Sequence, residues 1–188
     1  MDEIRSYFEK LVTLSDKDWE LFSSKLIKRE FSKKSIVLKL GQKENYLSFI
    51  EKGIIRFCIP NELDDLTFGF AFSNNFVSAY DFFLNREPSS YQLETLTETI
   101  LWSLTYDDLQ QIYAETEVGN TIGRLTSEAL FLKKTKRELS LLSTTAEQRY
   151  LSLFEEQPHL LQQIPLKYIA SYIGVTPQAL SRIRKRIS

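Results

Sequence analysis

Ala170, Gly174 and Leu180 stand four and six residues apart near the end of the chain, and that spacing constrains the fold more than any other feature. Leu166, Ile169, Ala170 and Ile173 form the apolar face of a short helix; Leu180, Ile183 and Ile187 form the buried face of a second. Gly174 can take the left-handed conformation that stops the first helix. Val175 plugs the turn, Thr176 caps the second helix and Pro177 opens it. Ala170 is small where the two helices must cross. The spacing predicts a helix-turn-helix.

The other face of the second helix is polar. Gln178, Ser181, Arg182 and Lys185 form one stripe that fits the major groove, where arginine pairs with guanine and glutamine with adenine. Lys167, Thr176, Arg184 and Arg186 flank the stripe and suit phosphates, which fix position rather than sequence. The charge distribution agrees. No Asp or Glu follows Glu156, whereas Lys167, Arg182, Arg184, Lys185 and Arg186 do, so a chain of net charge −1 has an acidic body and a basic end.

Upstream, the pattern changes twice. Residues 1 to about 30 read as helical, with Ser15 as a cap and Trp19, Phe22 and Leu26 facing a core. From Ser35 to Leu104 short strands follow: 36–40, ending at Gly41; 46–50 and 54–59, joined as a hairpin through Gly53; 66–72; 91–97; and 100–104 after a two-residue turn. Residues 60–65 read as a turn. Short strands without long helices between them predict an antiparallel sandwich or barrel. After Tyr106 the chain is helical. Val118, Ile122, Leu125, Ala129, Leu132 and Leu139 hold 3-and-4 spacing, broken by Lys136, which predicts a seam between two like helices. The basic run 133–137 reads as the solvated end of that helix. Thr145 and its neighbours cap a further helix at 146–156, closed by Gln157-Pro158-His159.

Taken together, these segments resemble the Crp/Fnr family of bacterial transcription regulators (cyclic-AMP receptor protein and fumarate–nitrate regulator). The resemblance implies an α+β fold: a cyclic-nucleotide-binding-like antiparallel β-roll of double-stranded jelly-roll type at 1–114, a long dimerisation helix at 115–142, and a helix-turn-helix DNA-binding domain at 143–188. It implies a homodimer on a two-fold symmetric DNA site, with Gln178 and Arg182 where the family reads bases; RNA polymerase is a candidate partner. Because the chain ends at Ser188, the wing that the family adds after its recognition helix is expected to be missing.

The pocket departs from the family pattern. Where cyclic-AMP binders carry Gly-Glu for the ribose and Arg-Ser or Arg-Thr for the phosphate, this chain has Ser78-Ala79 and Ser89-Ser90. A buried phosphate without a cation is costly. Cyclic AMP in the usual pose is therefore not expected, and no other cofactor is indicated. The candidate pocket is Ser78, Ala79, Tyr80, Arg86, Ser89, Ser90 and Tyr91, with Arg86 as a substitute cation and bulky Tyr80, Phe82, Phe83 and Tyr91 favouring closure.

Other chemistries lack residues. One cysteine, Cys58, excludes a disulfide framework and a four-thiolate metal site within one chain, and no metal site is expected. Cys58 reads as a small buried hydrophobe and the sole histidine, His159, as a surface residue rather than haem ligands. No nucleophile elbow, phosphate loop or two-histidine motif occurs, so no enzyme is expected. No apolar run reaches a membrane span of ~20 residues and the N-terminus is polar, which predicts a soluble cytoplasmic protein. The alternative is a ligand-binding signalling module whose basic tail contacts a protein instead of DNA.

Overall fold

The computed structural model describes residues 1–62 and 64–187. Leu63, in the expected turn at 60–65, and Ser188, the end of the expected helix-turn-helix unit, lie outside the described residues.

Helices α1 (Asp2–Glu9) and α2 (Asp16–Ser24) open the chain. The Ser15 hydroxyl accepts a hydrogen bond from the Asp18 amide at 3.1 Å, the expected cap. The helical stretch stops sooner than its apolar spacing predicts, because Ile27–Phe31 is strand β1. Its charged residues conceal the strand in the sequence. Arg29 lies over the rings of Phe31 and Tyr46, 5.0 and 4.3 Å from their centroids, so its stem and charge are accommodated on the sheet.

The remaining strands are β2 (Ile36–Leu38), β3 (Tyr46–Lys52), β4 (Ile54–Ile59), β5 (Leu66–Phe72), β6 (Phe76–Val77), β7 (Gln92–Thr95) and β8 (Thr99–Thr105). Among the described residues they form two four-stranded antiparallel sheets, ordered β1-β8-β3-β6 and β2-β7-β4-β5. Two connections therefore differ from the sequence expectation. β3 and β4 do not pair as a hairpin; Gly53 carries the chain from one sheet to the other. Its φ is +119°, and a Cβ there would lie 2.3 Å from Thr99 Oγ1 and 2.8 Å from the Glu98 carbonyl. Glycine is required by both shape and conformation. The link from β7 to β8 is likewise a crossing between sheets. Alternating apolar residues specify strands and faces, but not which strands become neighbours.

Among the described residues, three apolar clusters organise the molecule. Between the sheets lie Leu38, Ile50, Ile55, Val77, Ala79, Tyr91, Leu93 and Leu101. Outside the β1-containing sheet, Ile4, Phe8 and Phe22 pack with Phe49, Leu104, and residues of α3 (Tyr80–Asn85) and α4 (Tyr106–Glu115). The third cluster joins the outer face of the β4–β5 pair to the C-terminal helices. After α4 the chain continues as α5 (Gly119–Ser143), α6 (Ala146–Glu156), α7 (Pro158–Gln163), α8 (Leu166–Tyr172) and α9 (Pro177–Ile187). Thr145 and Gln148 form a capping box at the start of α6. Gln157-Pro158 ends α6 as expected, yet Pro158 also occupies the first turn of α7, a place where its missing N–H costs nothing.

Candidate nucleic-acid interface and ligand pocket

Helices α8 and α9 are built as their spacing requires. Ile169, Ala170 and Ile173 are buried on one side of the turn, and Leu180 and Ile183 on the other; Leu166 is instead exposed, at the open first turn of α8. Gly174 has φ +77° with no close neighbour for a Cβ, so backbone conformation, not space, demands glycine there. The Val175 amide donates to the Ala170 carbonyl at 2.9 Å and the Ala179 amide to Thr176 Oγ1 at 3.2 Å, closing one helix and capping the next. Val175 and Ile187 are half-buried against the same cluster.

The opposite face of α9 is open. Gln178, Ser181, Arg182 and Lys185 are all exposed, as are Thr176, Arg184 and Arg186. Arg186 pairs with Glu147 of α6 at 2.8 Å, and Lys167 lies over the Tyr168 ring at 4.8 Å. The arrangement presents a cationic ridge of guanidinium and ammonium groups on a rigid helix, next to a helix start at Thr176. Such a ridge can bond phosphate oxygens and base edges.

The candidate pocket residues do not share one space. Tyr91 is 7% exposed and its ring meets Phe68, Phe82 and Phe57 at centroid distances of 4.9, 5.4 and 6.3 Å, inside the roll. Its hydroxyl donates to Asp81 Oδ1 at 2.5 Å, and burial together with that carboxylate pushes its pKa upward. Ser89 Oγ donates to the Tyr91 carbonyl at 2.7 Å, and Ser78 Oγ to the Tyr46 carbonyl at 2.9 Å. Ser90 is exposed and Ala79 fully buried.

Tyr80 and Phe83 turn the other way. Their rings stack at 6.1 Å in the outer cluster with α1, α2 and α4, so they take no space inside the roll. Arg86 is also engaged elsewhere. Its guanidinium donates to the Glu44 carbonyl at 3.0 Å and to Asn45 Oδ1 at 3.3 Å, and lies 5.1 Å from the Tyr106 ring centroid.

Sequence reasoning missed two charged centres. Glu44 is 6% exposed and accepts from the amides of Tyr46 at 3.0 Å and Ala79 at 3.3 Å. Burial raises its pKa. Arg56, 3% exposed on the outer face of β4, pairs with Asp65 at 2.6 Å and Glu94 at 2.5 Å, and lies 4.2 Å from the centroid of Tyr168 on α8. Ser171 joins the same junction, accepting from the Thr67 amide at 2.8 Å and donating to the Asp65 carbonyl at 3.3 Å. Cys58, Asp65 and Glu94 offer ligand atoms within 4.8 Å of one another. Arg56 already pairs with both carboxylates, and burial raises the Cys58 pKa, which keeps it a thiol. The cluster is an ion-paired junction. An arginine in a short apolar strand was its only sequence signal. His159 is half-buried, edge-on to Phe72 at 4.7 Å, rather than on the open surface.

Helix α5 runs for 25 residues and buries only Gly119. On the expected seam Val118, Ile122 and Leu125 are half-buried, Ala129 is exposed, and Leu132 and Leu139 are 67% and 58% exposed. The basic run is not merely solvated: Lys136 pairs with Glu156 at 2.8 Å, and Arg137 donates to the Tyr172 carbonyl at 2.7 Å.

No curated protein matches the sequence at a significant level. Residues 28–116 match the family described as the cyclic nucleotide-binding domain. Among solved structures, the chain is similar to a protein of Eubacterium rectale described as a Crp/Fnr-family transcriptional regulator, with TM-score 0.72, 15% identity, and coverage of 93% of this chain and 83% of that one. It is also similar to FixK2 of Bradyrhizobium japonicum, at TM-score 0.71 and 12% identity over 86% of this chain and 84% of the other. The c-di-GMP-responsive global regulator CLP of Xanthomonas campestris gives TM-score 0.69 and 18% identity over 92% and 91%. No helix among the described residues is long and apolar enough to cross a membrane. Residues 28–116 thus match the cyclic nucleotide-binding domain family, in a chain that has the fold of the Crp/Fnr regulators along most of its length.

Proposed function

We propose that the chain is a DNA-binding transcription regulator of the Crp/Fnr type, not an enzyme. It would act in the cytoplasm as a homodimer on a two-fold symmetric site, divided as a roll at 1–114, a dimerising helix at 115–142 and a DNA-binding unit at 143–188. The observation that carries this reading is the exposed stripe Gln178, Ser181, Arg182 and Lys185 on α9, held by the Gly174 turn. Lys167, Thr176, Arg184 and Arg186 are its phosphate contacts. The unpartnered apolar residues of α5 support dimerisation. The roll supports a sensor whose nucleotide space is filled by its own aromatic rings, with no cation facing it from Arg86.

Selection of bound sequences from a random DNA pool tests the reading. The expected outcome is a palindromic consensus with half-sites about one helical turn apart. Arg182→Ala should then cost about 1–3 kcal/mol on the selected site and relax one position of it. Equal losses on selected and random DNA would remove Arg182 from base reading. Failure to select any DNA would remove the DNA-binding reading itself.

A further inference from the structure

The seam of α5 has a defect that the ion pair at its side explains. Val118, Ile122, Leu125, Ala129, Leu132 and Leu139 keep the 4-and-3 alternation of a coiled coil, and position 136, where the next apolar residue belongs, is a lysine. In two such helices packed parallel and in register about a two-fold axis, each seam position faces its own copy. Two Lys136 ammonium groups would then approach each other beside apolar leucines, a costly arrangement. Lys136 is not left in that state. Its Nζ is 2.8 Å from Glu156 Oε2, and Glu156 is the last residue of α6, which folds back beside α5. With side chains 70% and 46% exposed, the pair lies on the surface in one chain and has room to be covered by another.

We infer that the Lys136–Glu156 pair is part of the interface with a second copy of this chain, Glu156 supplying the counter-charge that lets a lysine occupy the seam. The inference rests on α5 being the dimer interface, and deepens that reading by naming the charge device that closes its C-terminal half. Nearby Arg137 is committed to the Tyr172 carbonyl and ring, which leaves Lys136 as the seam cation that Glu156 must balance.

Sedimentation equilibrium of the full chain tests it at about 0.05 M and about 1 M salt, which screens exposed charges. Glu156→Gln should raise the dimer dissociation constant about 5- to 10-fold at low salt, and the difference should shrink at high salt. Lys136→Leu should lower the constant about tenfold or more by completing the apolar seam. Adding Glu156→Gln to Lys136→Leu should change nothing further, because the charge it balanced is gone. Both side chains are exposed, so the fold tolerates these changes. An unchanged constant for Glu156→Gln, or equal effects of that substitution with and without Lys136, overturns the inference. Ile122→Asp separates the two levels. If it yields monomers while Glu156→Gln stays as tight as the parent, only the charge device fails. If it stays dimeric, the interface lies off α5 and both fail.

Discussion

Arg56 shows how much one side chain can hold. Its guanidinium reaches Asp65, Glu94, Thr67 and the Tyr168 ring, and so joins three strands of the roll, β4, β5 and β7, to α8. Removing one partner of a buried ion pair leaves the other uncompensated, so Arg56→Leu should lower stability by about 3–5 kcal/mol, read from urea unfolding. Glu44 makes the opposite bargain with burial. Desolvation raises its pKa above the ordinary 4.5, against amide hydrogen bonds and the charge of Arg29, which pull it down. A carboxyl raised in the fold contributes its stability in full below its unfolded pKa and loses it as pH rises through the folded value. Glu44→Gln should therefore gain thermal stability relative to the parent between about pH 4 and pH 7, with the two nearly matched at the acid end. A constant offset across that range would remove Glu44 from the pH dependence.

At the scale of elements, turns and seams decide. The α8–α9 turn depends on a left-handed residue, and Gly174→Ala should cost about 1–2 kcal/mol from backbone strain alone, since the site has space for the methyl group. A much larger loss would mean that packing against the turn had been underestimated. Helix α5 is the reverse case. It is well formed yet nearly bare, and its stability needs something on its apolar face. In the proposed dimer, Ile122→Asp would place like charges across the axis, so it should give monomers in sedimentation and weaker DNA binding. Retained dimers with normal DNA binding would assign the stripe to intrachain packing.

Across the whole molecule, the roll and the C-terminal helices share one apolar cluster, so α8 and α9 are placed by the outer face of β4 and β5. The inner face of the roll holds the packed rings of Tyr91, Phe82, Phe68 and Phe57, and Ser89 spends its hydroxyl on the Tyr91 carbonyl. On the proposed reading, admitting a cyclic nucleotide there would displace packed rings, and Arg86 is engaged with Glu44 and Asn45. Calorimetry with cyclic AMP and cyclic GMP should show no heat at micromolar concentrations, and DNA binding should proceed without either. DNA binding that appears only with a nucleotide would show that the aromatic cluster opens.

What the sequence determined by itself is what depends on neighbours a few residues apart. The Ser15 and Thr145 caps, the Gly174 turn, the two faces of α9 and most strands were legible, because hydrogen bonds and periodicity at that range are written in consecutive residues. The tertiary structure decided what depends on partners far along the chain. The apparent hairpin at Gly53 is a crossing between sheets, because β3 and β4 find better partners in β8, β6, β7 and β5. Strand β1 exists only through β8, some 70 residues later. Tyr80 and Tyr91 look alike in sequence, and only the sheets send one outward and the other into the roll. Ser171 meets Asp65 across 106 residues. Local patterns carry the energy of local bonds; pairing, burial and charge neutralisation are properties of the closed fold, and no window of sequence contains them.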